Sequence, residues 1–344
     1  MSALFEKGFF VREPAWHGEG IVLGDYPGRE EAMRLAGHDW DVIEIPLRGE
    51  YSREVLEAAG REVPEGQNGV LRKVECSVLH VRSDNLFELA THSRSFERIQ
   101  NSTAYDVAEL LFDQGFQYDA GVTLDGGKAC ALTLLLDEPI QITGDDSVVL
   151  PYGVLRWAHD GSASLSVQSG AIRVVCMNTW QASESEARKL GTSFTFRHTK
   201  NVADRIEDAK QAIKGVRSNL DVYREVAEEL ATIEITPAQR DWFISTIVGD
   251  RDGSVSLTGD VKVTQRVKDN VETERAKVNS VFFGPTIPEQ HKLTAYGLFL
   301  AGGEYFDHLR NFRSQDSYVR RTLLTGQAEK TNIRKTINEA LVAA

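Results

Sequence analysis

The stretch Phe116–Leu136, FQYDAGVTLDGGKACALTLLL, decides the fold class. Two runs rich in aliphatic, aromatic and β-branched residues, Phe116–Leu124 and Ala129–Leu136, flank Asp125-Gly126-Gly127. Asp-Gly accepts the positive φ angles of a tight turn, so the two runs are expected to form a hairpin. Val74–Val81 and Leu86–His92 repeat the pattern across Ser83-Asp84-Asn85, and Ile140–Thr143, Val148–His159 and Ser164–Val167 extend it, with Asp160-Gly161 as a further turn. Strands joined by such short turns build an antiparallel sheet and not a doubly wound parallel one.

Helices are placed by spacing and caps. Val107, Leu110 and Leu111 predict a helix that Ser102 caps and Gly115 stops, and Arg29–Ala36 predicts a shorter one. After Lys200 the apolar period becomes 3.6: Val202, Ile206, Ala209, Ile213, Val216, Leu220, Tyr223 and Leu230 fall on one stripe. Thr236-Pro237 opens the next helix, Val261–Val281 and Leu293–Arg313 give two more, and Asn332–Val342 the last. The expected fold is α+β: an antiparallel β-rich N-terminal half with a helix packed on the sheet, then a helical C-terminal half. Three regions follow: an N-terminal segment at 1–72, whose polar residues 46–69 read as an exposed excursion, a sheet core at 73–200, and a helical region at 201–344.

Ile172–His198, IRVVCMNTWQASESEARKLGTSFTFRH, links the two halves. It begins as a buried strand, offers Asn178 and Thr179 as helix-capping side chains, and returns to a strand at Thr192–Phe196. Arg197-His198-Thr199 then stands at the mouth of the long helix. Strand ends and helix starts that converge in this way are where binding groups are placed.

Composition excludes several classes. The chain has 344 residues, 41% of them hydrophobic and 26% charged, ordinary for a globular protein. No apolar run approaches the ~20 residues that span a bilayer, and MSALFEKGFFVRE lacks the basic start and apolar core of a secretory signal. A cytoplasmic protein with no membrane partner is expected. Cys76, Cys130 and Cys176 are far apart in strand-like runs and are expected to be reduced, buried thiols. Phosphate-loop, dinucleotide-binding, zinc-protease and nucleophile-elbow motifs are absent. A metal-assisted nuclease would need clustered carboxylates, and Asp145-Asp146 reads as a pair of turn residues. Asp307-His308 points in two directions on a helix. His17, His198 and His308 would make a metal site only if they met in space. No catalytic residue, metal or cofactor is assigned.

The net charge of −12 is unevenly spread. Residues 1–70 hold 14 acidic and 7 basic side chains, residues 292–344 hold 5 and 8. Arg310, Arg313, Arg320 and Arg321 are interleaved with Tyr305, Phe306, Phe312 and Tyr318. Such a pattern follows a phosphate backbone while its rings stack on bases; it also describes a solvated helical face whose aromatics belong to the core. Trp16 and His17, in Pro14–Gly20, suit a ligand-facing loop and equally a Trp plug closing the core.

Four elements carry a family resemblance. Pro14–Gly20, PAWHGEG, resembles the Pro-x-Trp-His-Gly-x-Gly signature of a phage/plasmid-like family whose members carry a domain of unknown function. Arg173–Thr179 is similar to its Arg-hydrophobic-x-Cys-x-Asn-Ser/Thr stretch, Arg197-His198-Thr199 to its Arg-His-Thr element, and Thr294–His308 to its aromatic Asp-His helix. Glu19 and Trp180 depart from that pattern. The resemblance implies DNA metabolism, and the hairpin–helix–sheet plan resembles that of single-strand annealing recombinases. On this expectation the protein binds single-stranded DNA in a bacterial host cell and self-associates into a ring or filament. Arg173, Arg197, His198, Arg310, Arg313, Arg320 and Arg321 would meet the phosphates. The other expectation is a host-interaction or small-ligand-binding protein that uses Trp16, His17 and the acidic surface.

Overall fold

The computed structural model describes residues 5–11, 20–63, 65–173, 178–181, 193–196, 216–249, 265–311 and 332–343. In chain order come β1 (Phe5–Val11), β2 (Ile21–Leu23), α1 (Arg29–Ala36), β3 (Val42–Ser52), α2 (Arg53–Ala58), β4 (Gly69–Arg82), β5 (Glu88–Ser93) and α3 (Asn101–Glu109). The strands β6 (Phe116–Leu124), β7 (Ala129–Leu136), β8 (Ile140–Ile142), β9 (Asp145–Ala158), β10 (Leu165–Arg173), β11 (Asn178–Gln181) and β12 (Ser193–Phe196) follow. The helices α4 (Val216–Thr232), α5 (Pro237–Ile247), α6 (Gln265–Phe282), α7 (Ala295–Glu304) and α8 (Ile333–Ala343) complete the chain. The protein is α+β, β-rich first and helical after.

Among the described residues the larger sheet runs β11-β10-β9-β7-β6-β1-β2, with β12 also on β10 and β8 on β9; the smaller is β3-β4-β5. All pairs are antiparallel except β1 with β2, which the sequence pattern did not foretell. The Asp125-Gly126-Gly127 turn behaves as its residues dictate: all three have positive φ, and Leu124 pairs with Ala129. Side chains alternate across the pleat. Cys130, Leu132, Leu134, Leu136, Leu155 and Trp157 thus meet α1 and α3 in one buried cluster with Phe9, Tyr105 and Leu111.

Several expectations are corrected. Asn178 and Thr179 do not cap a helix: Asn178–Gln181 pairs with Gly170–Arg173. A capping side chain is a local signal, and the open edge of β10 overrides it with a ladder of backbone hydrogen bonds. Ser102 is already inside α3, whose N-cap is Gln100. The segment 46–69 is largely exposed, as expected, and carries the short helix α2, but its first part is strand: β3 reaches Ser52 and pairs with β4 to form an arm. Cys76 lies on that arm just past the last β5 pair at Ser77 and is exposed, unlike buried Cys130. Leu293 precedes α7, and the helix ends well before Arg313. Asp145 is no plain turn residue. It is buried at the start of β9, where its carboxylate accepts from the Ser147 amide and hydroxyl and from the Tyr296 hydroxyl at 3.1 Å.

A buried polar knot joins the two sheets. Gly37 ends α1 at φ 73°, and His38 N–H then bonds back to Met33 O at 2.7 Å. This glycine-dependent C-cap turns His38 straight into the core. A carbonyl can only accept, so His38 Nε2 donates to Val122 O at 3.0 Å and Nδ1 accepts from the Tyr105 hydroxyl at 3.0 Å. Asn101 works the same way. The Trp157 indole only donates, so it meets Asn101 Oδ1 (2.9 Å), which also accepts from His159 Nε2 (2.9 Å), while Asn101 Nδ2 donates to Trp40 O (3.0 Å). Beside them Arg82, 4% exposed, donates to Glu6, Asp84 and Gly126 O and lies 4.6 Å over the Trp40 ring.

The helical half closes on the sheet's other end. Ile142, Val149 and Ala171 share one core with Tyr223, Leu230, Phe243, Phe282, Tyr296 and Ile337. Thr236 caps α5 and Pro237 lies in its first turn, as expected, and Gln239 completes a reciprocal capping box that the sequence reading did not include. From Ala295 to Gly303 every residue of α7 is buried, the mark of a helix surrounded by the others.

Burial lowers the pKa of His38 to about 4, helped by Arg82 and Lys7; burial and then His92 lower that of His80 to about 4. Between the ordinary pKa of 6.5 and about 4 the unfolded chain takes up protons that the folded one refuses. Stability is therefore complete above that window and falls as pH drops through it, by up to about 3 kcal/mol per histidine. Urea midpoints measured from pH 7.5 to 4.5 are expected to decline, and His38→Gln to flatten the decline.

Candidate binding cleft

The helical half contains a cleft of about 570 Å³ between the end of α5, the first half of α6, the start of α8 and the turn that follows α7. That turn, Tyr305–Leu309, is a single π turn closed by Arg310 N–H to Tyr305 O at 2.9 Å. Widening the helix by one residue changes which side chains face inward. Tyr305 and Asp307 are buried, His308 is exposed, and Phe306 and Arg310 line the cleft. The Arg310 guanidinium lies 5.6 Å over the Phe306 ring.

Glu274 of α6 forms the charged part of the floor and is 16% exposed. Its carboxylate accepts from Lys277 Nζ (2.8 Å), Asn311 Nδ2 (2.9 Å) and the Tyr305 hydroxyl (2.9 Å), and Lys277 also caps the π turn at Leu309 O (2.9 Å). The floor is thus compensated, and Arg310 stands on the wall beside it. Thr246 and Thr273 donate to carbonyls of their own helices, Trp242 O and Asp269 O, so toward the cleft their oxygens are acceptors. On α8, Ile333 and Ile337 go to the core, which aims Asn332 and Thr336 outward. Asn270 and Asn332 are exposed, with donor and acceptor both available. No cysteine or histidine lines the cleft among the described residues. A ring, a guanidinium, amides and hydroxyls make a set that binds by stacking and hydrogen bonding.

Of the expected contact residues, Arg310 is in this cleft. Arg173 ends β10, opposite Val149 and Asn178, and its side chain lies outside the description. Arg197, His198, Arg313, Arg320, Arg321, Trp16 and His17 lie outside the described residues. Sequence reading missed Asn270, Asn332 and Thr336, because isolated amides and hydroxyls on polar helix faces carry no motif. Asp307 is buried while His308 is exposed, so the adjacent pair is no dyad. Among the described residues no group of three or more His, Cys, Asp and Glu could hold a metal, and no helix is long and apolar enough to cross a membrane.

The described residues thus define an α+β protein with a polar cleft in its helical half. The chain belongs to the DUF932 family, a domain of unknown function, whose model matches residues 88–324. That span includes Arg173–Thr179, Arg197–Thr199 and Thr294–His308, whereas Pro14–Gly20 precedes it. No curated protein and no solved structure matches the chain.

Glu274→Leu strands an ammonium, a hydroxyl and an amide at the cleft floor. It is expected to cost about 2–3 kcal/mol, read as a lower thermal midpoint, with Glu274→Gln less damaging.

Proposed function

We propose that the protein binds single-stranded DNA and promotes annealing or recombination as an oligomer, in phage- or plasmid-type DNA metabolism within the bacterial cytoplasm. The observation that carries this reading is Arg310 stacked over Phe306 beside the amides of Asn270 and Asn332. A base can stack on the ring, the guanidinium can reach its phosphate, and the amides can meet base edges. The net charge of −12 works against long-range attraction, so affinity has to come from such local groups. A second reading, a small-ligand-binding protein without enzymatic activity, is favoured by the size of the cleft, since about 570 Å³ falls within the usual span of small-molecule sites.

Salt separates the two. Fluorescence anisotropy with a labelled thymidine oligonucleotide is expected to show binding at low salt that weakens as salt rises. Arg310→Ala should lower the slope of log affinity against log salt by about 0.7, the share of one single-strand phosphate. Phe306→Ala should lose about 1–3 kcal/mol at every salt concentration. Absence of binding at low salt would sink the DNA reading and leave the small-ligand one.

For self-association into a ring or filament we assign the β3–β4 arm. Its outer part, where Arg48–Ser52 pairs with Gly69–Lys73, lies beyond β5 and exposes Tyr51 and Leu71. Bare paired strands with apolar side chains on show invite a second copy. Light scattering is expected to give a multimer for the wild type and a monomer for Leu71→Arg; a monomeric wild type would remove this part of the proposal.

A further inference from the structure

Arg156 lies in the middle of the larger sheet, on β9, directly opposite Ala131 of β7 and Ser166 of β10. Laterally paired residues of an antiparallel sheet point to the same side, as do residues two apart on one strand. Arg156 therefore rises among Ala131, Val154, Ala158 and Ser166, the first three of them buried. The arginine is half-buried, and its Nε is fully shielded with no hydrogen-bond partner.

Charge is what sets this residue apart. Arg82 is buried against Glu6 and Asp84, and Arg29 is held by Asp106 and Glu109. Arg156 forms no ion pair and no hydrogen bond among the described residues, and none of its lateral or flanking neighbours is acidic. Burial pushes its pKa down, opposed only by Tyr152. A guanidinium stays charged even so, and a shielded charge without a counter-charge is costly. Around it the same face offers neutral polar groups: Ser166, then Thr195 of β12 opposite Ser166, with Thr133 and Gln168 on either side of Val154. All four are half-buried. One uncompensated cation among hydroxyls and an amide is the donor set of a site for an oxyanion.

We propose that this face of the sheet is a phosphate-binding site, in which the Arg156 guanidinium supplies the charge and Ser166 a hydroxyl donor. The phosphate group comes either as a free anion or as part of a phosphodiester. The site is separate from the cleft, and its assignment does not depend on the function proposed for that cleft.

The test uses the full chain. Its thermal midpoint is followed as inorganic phosphate replaces chloride at constant ionic strength. The wild type is expected to gain stability saturably, and Arg156→Met to lose that gain while starting from an equal or higher midpoint in chloride, because an uncompensated charge has gone. Arg156→Lys, which keeps the charge but not the planar fork, should bind phosphate about tenfold more weakly. Ser166→Ala should weaken it less, and Arg310→Ala should leave it unchanged. An unlabelled thymidine oligonucleotide added with phosphate then identifies the source. Competition that Arg156→Lys weakens marks a phosphodiester site, and a phosphate response without competition marks a site for the free anion. A wild-type midpoint that responds equally to phosphate and chloride, or a phosphate response that survives in Arg156→Met, overturns the proposal. Should Arg156→Met fail to fold, the wild-type response and the Arg156→Lys titration decide between the same outcomes.

Discussion

A buried amide persists in a core only when each of its polar atoms is met, and the Asn101 side chain is met from three elements at once. Trp157 and His159 reach it from β9 and the turn after it, and the Trp40 carbonyl from the segment leading into the smaller sheet. Leaving any of these groups unpaired in a dry interior would cost more than a surface contact gains. The same requirement orients His38 between Tyr105 and Val122 and sets Arg82 between Glu6 and Asp84. Together these bonds allow one arrangement of α1, α3 and the two sheets. Apolar packing alone would tolerate several.

The helical half depends on a different constraint. Because α7 is apolar on all sides, the other helices and the end of the sheet surround it, with Tyr296 reaching Asp145 at the start of β9. Its regular repeat gives out where it would meet solvent. There the π turn brings Tyr305 to Glu274 and leaves Phe306 and Arg310 on the cleft wall. The cleft thus arises from the way a central helix ends. Arg156 lacks, among the described residues, the carboxylate partners that hold Arg82, and a guanidinium so placed is open to an anionic ligand.

Much of the architecture was legible in short stretches. Asp125-Gly126-Gly127 carries its turn in its own φ preferences, Thr236-Pro237 its helix start in its own capping groups, and Ala129–Leu136 its burial in its own composition. Asn178 and Thr179 misled, because a side chain suited to capping says nothing about an open strand edge a few residues upstream. Of the candidate site, Arg310 was visible as a basic residue among aromatics. Asn270, Asn332 and Arg156 were not, since what marks them is the neighbours they have or lack.

The amino-acid sequence by itself determined the α+β class, the hairpins, most helix positions and the family, because each rests on contacts between residues close in the chain or on recurring short motifs. Tertiary structure alone decided which polar groups are satisfied, that the arm projects, that a cleft opens beside the π turn, and that Arg156 stands on the sheet without a counter-charge among the described residues. Those features depend on distances between residues far apart in sequence, and on the burial that makes an unpaired charge matter. Neither quantity exists until the chain has folded.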